Sequence, residues 1–154
     1  MIHEITSDNL KTRHYRHGDF IAISDLWIRT GMGDPVRGDD ETIVENSIKM
    51  GGALLVLEDI IAGIIVGTSW MTFDGRRILL HHFGILPEYQ GKGLSKILLK
   101  DSLAFVKEKG HQVKLEVHNT NIRAVNLYKK FGFKPLGDFE VYIIRDTERE
   151  AGSN

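Results

Sequence analysis

Pro87-Glu88-Tyr89-Gln90-Gly91-Lys92-Gly93-Leu94-Ser95-Lys96 is the stretch that decides how this chain folds. Ahead of it, Ile78–Leu86 is short, apolar and bounded by Asp74-Gly75 and Pro87, which predicts a buried strand. Behind it, Leu94, Ile97, Leu98 and Phe105 recur at helical spacing, with Leu99, Leu103 and Val106 widening the apolar face. Two glycines flank a lysine between strand and helix. Glycine tolerates backbone angles that side chains forbid, so such a loop can turn several N–H groups toward one point. The helix that follows adds unsatisfied N–H groups and a positive dipole end, and together they make a site for a phosphate or pyrophosphate. The loop lacks the G-x-x-x-x-G-K-[ST] of a P-loop and the G-x-G-x-x-G of a dinucleotide fold.

Working outward, 154 residues at 42% hydrophobic content predict one domain with one core. A net charge of −1 provides no basic field for nucleic acid. The absence of cysteine removes disulfides, thiolate catalysis and thiolate metal ligands. Leu54–Met71 is broken by Glu58, Asp59 and glycines, so no membrane span or signal peptide is read, and a cytoplasmic location is the expectation.

Residues up to Asp8 are polar and are expected to lack order, as is a charged tail over 147–154. Lys11–Arg16 predicts an edge strand. Asp19 is the expected N-cap of a helix carrying Phe20, Ile23, Leu26 and Trp27, and Asp39 or Asp40 that of a second helix stopped by Gly51-Gly52. Ala53–Leu57 and Ile60–Thr72 read as strands joined around Glu58-Asp59, and Asp74-Gly75 as a hairpin turn. The long helix runs from Leu94 to Lys109 with Gly110 ending it. Val113–Val117, a helix capped within Asn119-Thr120-Asn121, and Phe139–Ile144 as a closing strand complete the order. A helix between Ile78–Leu86 and Val113–Val117 predicts a right-handed parallel crossover, and ligands enter α/β sheets beside such strands.

Gln90, Gly93 and Ser95 occupy the positions of the Q/R-x-x-G-x-G/A loop of the GCN5-related N-acetyltransferases, with Ser95 in place of the usual Gly or Ala. Leu115-Glu116-Val117 through Asn121, Ala124, Leu127, Tyr128 and Gly132-Phe133 also resembles that family's L-x-V-x(3)-N-x-x-A-x-x-L-Y-x-K-x-G-F pattern. The resemblance covers Asp74 to Phe133. It implies an α/β (α+β) fold with a mixed, splayed sheet of six to seven strands and helices on both faces. It implies acetyl-CoA as cosubstrate, no metal, and transfer to an amine-bearing small molecule or protein through a ternary complex, by a monomer or homodimer. A non-catalytic acyl-CoA-binding or sensing domain is the alternative.

Residue by residue, the resemblance assigns Phe83, Gly84 and Ile85 to the pantetheine arm and Gln90, Gly91, Lys92, Gly93, Leu94 and Ser95 to the pyrophosphate. Asn121 would hydrogen-bond the cofactor, and Tyr128 would lie near the sulfur as acid for the leaving thiolate. His81 and Glu116 are both candidate bases, jointly lining the site or acting through water. Side chains alternate along a strand, so His81 and His82 are expected on opposite faces, which argues against a metal pair. Plainer readings stand beside these: Tyr128 as a core aromatic, His81 as a satisfied core histidine, Glu116 as a salt-bridged carboxylate.

Overall fold

The computed structural model describes residues 3–148. The chain divides after Glu116 into two compact units, each described by itself below.

The first unit is built on a five-stranded sheet in the order β1-β2-β3-β4-β5: Leu10–His14, Ala53–Asp59, Ile64–Phe73, Arg77–Ile85 and Gln112–Leu115. β1 to β4 pair antiparallel, and β5 pairs parallel to β4. Three helices accompany the sheet: α1 (Phe20–Arg29), α2 (Glu41–Lys49) and α3 (Leu94–Lys109).

Hydrogen bonds from three consecutive residues of β3 show which helix covers which face. Trp27 Nε1–H on α1 donates to Thr68 Oγ1 (2.9 Å), Ser102 Oγ on α3 donates to Ser69 Oγ (2.7 Å), and Trp70 Nε1–H donates to Ser47 Oγ on α2 (2.8 Å). Neighbours on a strand point to opposite faces, so α1 and α2 lie on one side and α3 on the other. The core between them holds Ile23, Leu26, Val44, Leu54, Val56, Leu57, Val66, Met71, Leu98 and Leu99, each at most 1% exposed. Burial at roughly 1.5–3 kcal/mol per large side chain drives this packing. The buried polar pairs fix its geometry, because an unmet buried donor is costly.

The local signals act as expected at several ends. Asp40 caps α2 by accepting from the Ile43 N–H (2.9 Å). Asp74 Oδ1 accepts from the N–H groups of Arg76 and Arg77, which closes the β3–β4 hairpin. Gly110 ends α3 at φ +74°, where a side chain would be strained.

Four expectations are corrected. Glu58 and Asp59 do not form the β2–β3 turn: both belong to β2, and residues 60–63 turn instead. Asp19 stands at the α1 N-cap position without capping, because its carboxylate is taken by the Arg13 guanidinium (2.8 and 3.1 Å) and the Arg16 N–H. Ser7 and Asp8, expected to lack order, belong to a 3-10 turn, Ser7–Asn9, that leads into β1. The sheet has five strands among the described residues, not six to seven.

The second unit starts at Val117. Its helix α4 (Ile122–Lys130) is capped by Asn121, whose Oδ1 accepts from the Ala124 N–H (3.3 Å). Phe139–Ile144 has strand-like composition but forms no strand, and Phe139, Val141, Tyr142, Ile143 and Ile144 are exposed. Of the expected charged tail, residues 149–154 lie outside the described residues.

Candidate functional site

β4 and β5 start in register, Arg77 opposite Gln112, and their pairing stops at Leu80 opposite Leu115. β4 itself continues to Ile85. The pairing therefore ends before β4 does, at the place where the resemblance implied a splay.

β4 also carries a bulge. Thr68 pairs with Gly84 and Trp70 with His81, so His82 and Phe83 together face the single residue Ser69. His82 takes φ +41°, unusual for a residue with a side chain. A relay holds it there: Trp27 donates to Thr68 Oγ1, and the Thr68 hydroxyl donates to the His82 carbonyl (2.8 Å). The bulge overturns the expected alternation. His81 Nε2 lies 2.8 Å from Thr72 Oγ1, and the His82 ring packs on Trp27 and Trp70 at centroid distances of 4.4 and 5.2 Å. Thr72, Trp70 and Thr68 share a face, so both histidines lie on the α1/α2 side.

The two histidines are kept neutral. Burial lowers His81 most, helped by the nearby His82, and outweighs the carboxylates of Asp39 and Glu116. Burial and then Arg37 push His82 down to about 4, against a backbone hydrogen bond with Met32. Asp39 Oδ2 lies 3.1 Å from His82 Nε2, but the two are not aligned for a hydrogen bond, so burial prevails. Glu116 follows the end of β5 and is exposed, not a buried carboxylate of a central strand.

The loop after β4 has the expected geometry. A 3-10 turn, Pro87–Tyr89, leads into Gln90, whose Nε2 donates back to the Ile85 carbonyl (2.9 Å). Gly91 and Gly93 are both left-handed, at φ +77° and +80°. Among the described residues, no side chain caps α3, no acid lies in its first turn, and no atom beyond the chain neighbours of Gly93 lies within 4 Å of where its Cβ would be. Lys92 and Lys96 are exposed beside it. An uncapped helix start with open space in front of it suits a phosphate, so the residues present fit the phosphate end of acetyl-CoA.

In the second unit, Tyr128 is 8% exposed and meets Phe133 edge-on at 5.6 Å. Burial raises its phenol to about 12.

Sequence reasoning missed Asp59. It is fully buried, Oδ2 accepting from the Tyr89 hydroxyl (2.9 Å) and Oδ1 from the N–H groups of Ile61 and Ala62. The available signal was an aspartate four residues before Gly63, the pattern of a side chain closing a turn. An open cavity of about 410 Å³ in the same unit is bordered by Arg13, Asp19, Asp25, Arg29, Glu58 and Leu86. Three of its charged wall residues are paired with one another, Arg13 with Asp19 and Glu58, and Arg29 pairs with Glu88. His17, Glu41 and Glu45 also bring ligand atoms within 4.8 Å of one another, with His17 largely exposed and ion-paired to Glu45 at 3.1 Å.

Comparison with known proteins gives a consistent result. Residues 15–133 match the acetyltransferase (GNAT) family. An acetyltransferase of Sodalis glossinidius is 25% identical over 126 residues, spanning 81% of this chain and 87% of that protein. The crystal structure of an acetyltransferase from Streptococcus agalactiae superposes with a TM-score of 0.72 at 18% identity, covering 88% of this chain and 92% of that one. A GNAT family acetyltransferase from Elizabethkingia anophelis, solved with acetyl-CoA bound, superposes at 0.64 with 20% identity, over 83% of this chain and 78% of that one.

Proposed function

The chain belongs to the acetyltransferase (GNAT) family, and from that membership we propose that it moves the acetyl group of acetyl-CoA to a primary amine by direct attack in a ternary complex. The observation that carries the reading is the uncapped start of α3, preceded by two left-handed glycines and following a strand whose pairing with its parallel neighbour stops at Leu80. Bound acetyl-CoA supplies an activated acyl carbon and a thiolate leaving group.

The main-chain N–H groups of Gly91 to Ser95 hold the phosphates, and Gln90 keeps the loop tied to the end of β4 through Ile85. Gly84 and Ile85 offer backbone groups to the extended arm, with Phe83 beside them, and Asn121 contributes its amide. A lysine-like amine, with pKa ~10.4, costs about 4.6 kcal/mol to deprotonate at pH 7 (roughly 3.4 units at 1.36 each), so a base is useful. His81 suits that role because burial keeps it neutral and able to take a proton. In the tautomer that donates from Nε2–H to Thr72 Oγ1, 2.8 Å away, Nδ1 carries the accepting lone pair. Glu116 acts with it, directly or through water. Tyr128 is the acid: its phenol, raised to about 12, holds a proton throughout the neutral range.

A thiol-release assay with acetyl-CoA against a panel of small amines, amino acids and peptides tests the reading. Thiol release is expected with at least one amine, and Tyr128→Phe and Glu116→Gln are expected to lose turnover while still binding coenzyme A. Coenzyme A binding with no turnover of any amine would turn the reading toward a sensing domain.

A further inference from the structure

Tyr89 occupies the last position of the turn that leads into the glycine loop, directly before Gln90. Its ring is 3% exposed, and its hydroxyl donates to a carboxylate thirty residues earlier in the chain, Asp59 Oδ2 at 2.9 Å. Asp59 is fully buried, and a buried charge is tolerated only when its oxygens are met. Here they are. Besides Tyr89, the carboxylate accepts from the N–H groups of Ile61 (3.1 Å) and Ala62 (3.0 Å), and His3 Nε2 lies 3.2 Å from Oδ1. Burial alone would raise the Asp59 carboxyl, but the bonds from Ala62 and Tyr89 outweigh it and hold the group below its ordinary range. The carboxylate is thus a fixed ionic post at the β2–β3 turn, and Tyr89 is moored to it.

The moored turn has one further strong tie, an exposed ion pair of Glu88 with Arg29 at 2.6 Å, and it too lies ahead of the glycines. Leu86 N–H bonds the Val66 carbonyl and Gln90 Nε2 bonds the Ile85 carbonyl, but Gly91, Lys92 and Gly93 are exposed ahead of the buried Leu94. Two left-handed glycines flank Lys92 in that exposed stretch, and an exposed loop must be ordered when it closes on an anion. A rigid anchor just before it reduces that ordering cost.

We infer that Asp59 and Tyr89 are a positioning pair for the phosphate end of the cofactor: their buried hydrogen bond presets the Gln90–Ser95 loop, so that coenzyme A affinity depends on two residues that never touch it. The inference rests on the acetyl-CoA reading above. It separates two halves of one ligand, since the pair acts on the loop that meets the phosphates and not on the strand that meets the pantetheine arm.

The test uses the full chain, coenzyme A by calorimetric titration, and pantetheine, which lacks the phosphates, by saturation-transfer NMR. Tyr89→Phe keeps the ring and removes one charge-assisted hydrogen bond. It is expected to weaken coenzyme A binding about tenfold while leaving the pantetheine signal unchanged. Asp59→Ala is expected to do at least as much. Asp59→Asn is expected to fall between it and the wild type, because the amide oxygen still closes the turn and the amide N–H can donate to the phenol oxygen. Thermal melts report folding, and Tyr89→Phe carries the conclusion if Asp59→Ala does not fold. Wild-type coenzyme A affinity in Tyr89→Phe, or a parallel loss of both ligands, overturns the positioning role while leaving the acetyl-CoA reading intact. A wild-type protein that binds no coenzyme A overturns both.

Discussion

Replacing Gly93 by alanine separates backbone strain from ligand contact. Gly93 sits at φ +80°, where an L side chain costs roughly 1–2 kcal/mol. Among the described residues, no atom beyond the chain neighbours of Gly93 lies within 4 Å of the added Cβ, so strain dominates the cost to the unliganded protein. At this chain length that is a fall in Tm of about 2–8 °C. The strain is present with and without ligand, so by itself it leaves affinity unchanged. If phosphates lie against the start of α3, however, the new methyl occupies their approach and displaces at least one charge-assisted amide bond. That is worth roughly 1.5–3 kcal/mol, or about 10- to 150-fold in Kd. Gly110, at the other end of the same helix, provides the control: it is left-handed at φ +74° and has equally open surroundings. Gly110→Ala is expected to match the loss of Tm and to bind coenzyme A like the wild type. Calorimetric titration and thermal melts of both variants measure the two quantities. Equal coenzyme A affinity in the two variants would show that no phosphate is bound at Gly93.

Three further outcomes are expected. The folded pKa of His82, about 4, lies below its ordinary 6.5, so the unfolded chain takes up the proton first; stability is full above 6.5 and falls as pH drops toward 4. The span of 2.5 units bounds the loss at about 3 kcal/mol, and His82→Asn, which tolerates the left-handed backbone, should flatten this part of a urea-denaturation pH series. Ser102→Ala strands the buried Ser69 hydroxyl and should cost about 1–3 kcal/mol in urea, part of which Ser69→Ala on top of it should restore. Arg13→Met leaves the carboxylates of Asp19 and Glu58 without their shared partner, and should cost more than Asp19→Asn alone in the same denaturation series.

The parts of the fold that were legible are those written in local chemistry. Leu94–Lys109 is a helix with the expected bounds because its apolar spacing and Gly110 specify it without outside help. Asp40 caps α2, and Asp74-Gly75 turns the hairpin, for equally local reasons. The glycine loop takes left-handed angles because only glycine does so readily. What escaped depends on partners distant in sequence. The bulge at His82 exists because Thr68 and Trp27 hold its carbonyl, a relay spanning three elements, and nothing in His81-His82-Phe83 itself announces it. Asp59 looked like a turn residue, which is a sound prior for an acid between apolar runs. It does close that turn through two backbone amides, but its full burial depends also on Tyr89, thirty residues away. Asp19 was drawn from its cap by Arg13, a competition that a local reading does not weigh. Phe139–Ile144 shows the converse: strand-like composition alone does not make a strand.

A crystal structure with coenzyme A bound puts the cradle itself to the test. The pyrophosphate oxygens are expected within hydrogen-bond distance of the main-chain N–H groups between Gly91 and Ser95, with the pantetheine arm running along β4 beyond Leu80. A nucleotide bound elsewhere, with those amides facing only solvent, would contradict the reading from which every assigned role follows.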